Sequence, residues 1–158
     1  MLTVEEFLAH SICLEAEAAA RFGELADAME SGGNKEVGQL FRRLADYSRM
    51  HLADAQARAG FRDVPQLDPQ DCLWPNLESP ESAAIWGADP MLGRGEALQI
   101  ALAAEKAGHD YYKSILDTTD DPEIKRFAAE FVAEEAGHVA ELKKWIAAHE
   151  AGMTAPAD

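Results

Sequence analysis

Residues 127–142 read FAAEFVAEEAGHVAEL. Phe127, Phe131 and Leu142 recur at helical spacing, and Ile124, Trp145 and Ile146 extend the same stripe in both directions. Glu135 and His138 sit inside that stripe, where apolar side chains are expected. Three residues apart on a helix, they share one face and can reach one metal centre. The helix has a defined start, with Asp121 as N-cap and Pro122 at the first helical position, and its predicted span is 122–149.

Three more helices follow from the same periodicity. The first is predicted over 4–30, opened by Thr3 and Glu6 in a capping-box pattern, with Phe7, Leu8, Ile12, Phe22, Leu25 and Met29 inward. SGGN at 31–34 is a turn. The second helix spans 35–59 with Val37, Leu40, Phe41, Leu44, Leu52 and Ala55 on its stripe, and Gly60 is placed to end it. The third spans 95–118 with Leu98, Leu102, Tyr112, Ile115 and Leu116 inward. The segment 60–94 holds all but two of the seven prolines, together with Trp74 and Trp86, and no long helix is expected through it. A short helix near 81–86 fits within it. Short turns make each helix pair an antiparallel hairpin, and the long segment becomes a crossover between the pairs. The expectation is one all-α domain over 1–150, an antiparallel four-helix bundle, with a loose tail at 151–158.

Composition narrows the function classes. The chain has 158 residues, 47% hydrophobic and 27% charged, enough for one domain with a sizeable core. A net charge of −15 argues against nucleic acid, whose phosphates need a basic surface. No apolar run approaches a membrane span, and the first 20 residues carry acids but no Lys or Arg, so neither a membrane anchor nor a signal peptide is expected. The two cysteines, Cys13 and Cys72, form no CxxC pair. That argues against a zinc-ribbon or rubredoxin-type site and against a disulfide framework, and suggests a reducing, cytoplasmic setting.

The other helices carry matching polar residues at interior positions. Glu15 lies between Ile12 and Phe22, and Glu105 between Leu102 and Tyr112. Ser48 and His51 lie between Leu44 and Ala55. The second half of the chain thus echoes the first: a Glu, a hairpin, then a His on the return helix. An isolated interior His is ordinarily a core residue with a local partner. Several carboxylates in one core are another matter, since unpaired burial is costly and mutual repulsion raises their pKa values. One or two divalent cations resolve the conflict, and carboxylate and imidazole donors suit iron, manganese or zinc.

On the stretches LEAEAAARFGELADAM (14–29), LFRRLADYSRMHLADAQ (40–56), ALAAEKAGHDYYKSI (101–115) and FAAEFVAEEAGHVAEL, the sequence resembles the rubrerythrin-like branch of the ferritin-like superfamily over about residues 5–149. The resemblance implies a ferritin-like antiparallel four-helix bundle with a di-iron centre. Its metal ligands fall on Glu15, His51, Glu105, Glu135 and His138. The bridging Glu of the second helix falls on Ser48, which is neutral and too short to bridge. A hydroxide, an exogenous carboxylate or His109 could stand in, whereas Asp46 faces the far side of its helix. The implied chemistry is an oxidoreductase acting on peroxide or dioxygen, or oxidising ferrous iron. Tyr112 is then a catalytic candidate that hydrogen-bonds a ligand or supplies a proton. No rubredoxin domain accompanies the bundle, so electrons would come from a separate donor protein. Homodimerisation is implied too. The competing readings are a non-catalytic iron-binding or sensing module and a helical scaffold whose metal site has decayed.

Overall fold

The computed structural model describes residues 2–67 and 90–157. They form an all-α four-helix bundle: α1 (Val4–Ser31), α2 (Lys35–Ala59), α3 (Pro90–Thr118) and α4 (Pro122–Glu150). The predicted termini of α1, α2 and α4 agree with the observed ones to within a residue. α3 begins at Pro90, five residues before the predicted start. Proline is accommodated in a first helical turn, where its missing N–H has no partner to lose. A proline and the nearby Gly93 and Gly95 suppress the very signals by which a helix is read from sequence. Trp74, Trp86 and the short helix expected near 81–86 lie outside the described residues.

The capping is as the sequence requires. The Thr3 hydroxyl accepts from the Glu6 N–H. The Asp121 carboxylate accepts from the N–H groups of Glu123 and Ile124, with Pro122 following it. Replacing Asp121 by alanine is expected to lower stability by about 1 kcal/mol, a Tm drop of about 2–4 °C for a chain of this size. Thermal melts of the two proteins check this.

α1 packs chiefly on α2, and α3 on α4. Two apolar clusters fill the interior. One gathers Phe22, Leu25, Met29, Val37, Leu40, Phe41, Leu44, Leu98 and Leu142. The other gathers Val4, Phe7, Leu8, Tyr112, Ile124, Phe127 and Phe131, with the Tyr112 and Phe131 rings stacked at 4.5 Å. Along α1 the first cluster begins at Phe22 and the second ends at Leu8, and Glu15 falls between them. On α4, Glu135 and His138 fall between Phe131 and Leu142 in the same way. The polar residues therefore form a layer across the bundle with an apolar cluster on each side. Just beyond α2, Arg62 ties the second cluster's end together by pairing with Glu5 of α1 and Glu123 of α4. Beyond α4, Ala155 and Pro156 share a surface pocket with Trp145.

One cysteine expectation is corrected. Cys13 on α1 is disulfide-bonded, and Cys72 lies outside the described residues. A disulfide at a single cysteine of a helix leaves no local motif to read. The cysteines therefore give no sign of a reducing setting. Among the described residues, no helix is long and apolar enough to cross a membrane.

Candidate metal centre

All five predicted ligands are buried at the polar layer: Glu15, His51, Glu105, Glu135 and His138, each 9% exposed or less. Glu15 comes from α1, His51 from α2, Glu105 from α3, and Glu135 and His138 from α4. Ser48 is buried with them, one helical turn before His51. The five fall into two groups. One ligand atom from each of Glu15, His51 and Glu135 lies within 4.8 Å of the others, and the same holds for Glu105, Glu135 and His138. Glu135 belongs to both groups, so its carboxylate would be shared if each group held an ion.

The imidazole geometry shows which nitrogens face the carboxylates. His51 Nδ1 is 3.7 Å from Glu15 Oε1, and His138 Nδ1 is 3.4 Å from Glu105 Oε2 and 3.9 Å from Glu135 Oε2. Both Nδ1 atoms are buried and have no hydrogen-bond partner. An orphaned buried nitrogen costs free energy. The separations are long for a good hydrogen bond. They suit two donors flanking one cation, since ligands about 2.1 Å from an ion stand roughly 3–4.2 Å apart. The donor set, three carboxylates and two imidazoles, fits iron, manganese or zinc.

Protons occupy the same niche when cations do not. Burial pushes the His51 imidazolium down, but the Glu15 and Glu134 carboxylates outweigh it and hold its pKa above the usual 6.5. His138 is likewise raised, with burial opposing and Glu105 prevailing. Burial drives the Glu105 carboxyl up, against the pull of His138. Tyr112, fully enclosed, is held well above its usual pKa by burial and by Glu15 beside it. Its hydroxyl stays protonated and donates to Glu15 Oε1 at 3.2 Å. Tyr112 is thus brought to the site, in contact with a ligand.

His109 is not brought in. Its Nδ1 lies 3.2 Å from Asp110 Oδ1, its side chain is partly exposed, and it belongs to neither ligand group. Asp46 faces outward and pairs with Arg49, as its position on α2 requires.

Sequence reasoning missed Glu134. Its carboxylate, about half exposed, contacts His51 Nε2 from across the α2–α4 boundary. A carboxylate there is placed to accept the Nε2 proton, which would leave the Nδ1 lone pair facing Glu15. This is the usual way an outer carboxylate fixes the tautomer and basicity of a metal-binding histidine. It also places a negative charge beside the half of the site where Ser48 supplies none. The available signal was the adjacent acid pair at 134–135, but Glu134 falls off the apolar stripe and reads as solvated. Glu134→Ala is expected to weaken metal binding at the His51 side about 10–100-fold. Glu134→Gln, whose amide oxygen still accepts from Nε2, should lose less, and zinc titration calorimetry separates the two.

No protein-family model matches the chain, and no curated protein matches it. Among solved structures it is similar to that of COG1633, an uncharacterized conserved protein from Magnetospirillum magnetotacticum MS-1. The two are 40% identical over 92% of this chain and 94% of that one, with a TM-score of 0.79. With that identity over nearly the whole length of both chains, this protein belongs to the same family as the Magnetospirillum protein.

Proposed function

We propose that the chain is a rubrerythrin-like di-iron protein that acts as an oxidoreductase on peroxide or dioxygen. The observation that carries this reading is the pair of ligand groups joined through Glu135, each with a buried imidazole nitrogen that has no other partner. Glu15, Glu135 and His51 would hold one ion, and Glu105, Glu135 and His138 the other. Bound iron would supply reducing electrons for the conversion of peroxide to water.

The chain's own residues prepare the site for that chemistry. Phe131 and Tyr112 close one side of the layer against water, with the Phe131 ring edge-on to His51 at 5.1 Å. Tyr112 holds Glu15 in place through its hydroxyl and keeps a proton next to the ligands. Glu134 holds His51 in the tautomer that offers Nδ1.

Ser48 supports a second reading. Three carboxylates balance only part of the charge of two divalent ions, so the half containing His51 would bind more weakly. A protein that fills only the His138 half would serve to bind or sense iron without turnover. Stopped-flow oxidation of bound ferrous iron by hydrogen peroxide separates the readings. Oxidation far faster than that of free ferrous iron supports the oxidoreductase, and an unchanged rate with iron still bound supports the sensor.

A further inference from the structure

The two candidate histidines differ in what covers them. His51 is faced by Phe131, buried and redox-inert. His138 is faced by Tyr47 of α2, with ring centroids 4.9 Å apart and planes inclined at 52°. Tyr47 is 45% exposed, so a single ring spans from the buried ligand layer to solvent. The chain has three tyrosines. Tyr112 is enclosed and its hydroxyl is engaged by Glu15. Tyr111 packs on His10 and Tyr112. Met50, one turn beyond Tyr47 and 64% exposed, puts a second oxidisable side chain on the same surface.

We propose that Tyr47 is the port through which single electrons pass between the surface and the metal centre. This rests on the metal-binding reading above. In the outward-facing half of the cycle Tyr47 gives up one electron, which crosses the ring contact to His138, and its phenolic proton goes to solvent, leaving a neutral tyrosyl radical. The oxidant is hydrogen peroxide, which takes two electrons and two protons and leaves as two waters. One of those electrons comes from a ferrous ion and the other from Tyr47, and solvent supplies the protons. Two one-electron equivalents from a reductant in solution then close the cycle: one restores the phenol, with a proton from water, and the other returns the ferric ion to ferrous. The phenol lies where both exchanges need it, tilted against the His138 ring and about half exposed to solvent.

The test is to load the full chain anaerobically with ferrous iron, mix it with hydrogen peroxide without reductant, and freeze it for electron paramagnetic resonance. The wild type is expected to show a tyrosyl radical, and mass spectrometry should find oxidation at Tyr47 and Met50. Tyr47→Phe keeps the ring against His138 and should bind the same amount of iron while losing the radical. Tyr111→Phe should retain it. A radical that survives Tyr47→Phe, or iron that is bound and oxidised in the wild type with no tyrosyl signal, would overturn the role of Tyr47 and leave the metal reading intact. A chain that takes up no iron would overturn both.

Discussion

Glu135→Ala is expected to abolish metal binding at both positions, whereas Glu15→Ala and Glu105→Ala should each impair one. The reason is that Glu135 alone belongs to both ligand groups. Loss of an outer carboxylate already costs 10–100-fold in metal affinity, so loss of a shared ligand should cost more than about 100-fold at each position. Without cations, the same substitution should not harm the bundle. It removes one of three carboxylates buried in a single layer, and the repulsion and desolvation it relieves offset the small cavity it leaves. Glu135→Ala should therefore melt no earlier than the chelated wild type, yet fail to respond to added zinc or ferrous iron. A substitution that simply unfolded the bundle would lower the melt in both conditions.

The second large effect is a reversal of pH dependence by metal. His51 and His138 have folded-state pKa values above 6.5, and Glu105 sits above its usual 4.5. At these three groups the folded, metal-free chain thus binds more protons than the unfolded chain. Their contribution to stability falls with rising pH, from 4.5 upward for Glu105 and from 6.5 upward for the histidines, until the folded pKa values are passed. Deprotonation leaves the buried carboxylates facing neutral imidazoles. Divalent cations need those deprotonated groups, so metal stabilisation grows over the same range. At a thousandfold excess over Kd a single site contributes about 4 kcal/mol, on the order of 10 °C in Tm for a chain of this length. Melts of the chelated protein should decline across the neutral range while those of the loaded protein hold or rise, and parallel curves would count against competition between protons and metal.

The parts of this structure that were legible in the sequence are those set by local chemistry. Asp121 followed by Pro122 marks a helix start because the carboxylate caps free N–H groups and the ring suits a first turn. SGGN ends one helix and begins the next, and Gly33 within it adopts a positive φ of 85° that favours glycine. Glu15, Glu105, Glu135 and the two histidines could be placed inward because each interrupts an apolar stripe at helical spacing. The features that escaped depend on contacts between distant segments. Glu134 meets His51 across two helices that carry no common period, and its half-exposed carboxylate looks like any solvated acid. Tyr47 likewise sits off the stripe of α2 and gains its meaning only from His138 on α4. The disulfide at Cys13 leaves no local motif in the sequence. Pro90 opens α3 at a place where proline and glycine obscure helical periodicity.

The most direct test of a two-ion centre built on Glu135 is metal content per chain, by mass spectrometry after anaerobic reconstitution with ferrous iron and removal of unbound metal. Two irons per chain are expected from the two ligand groups, falling to none in Glu135→Ala. No bound iron in the wild type, or two irons retained in Glu135→Ala, would contradict it.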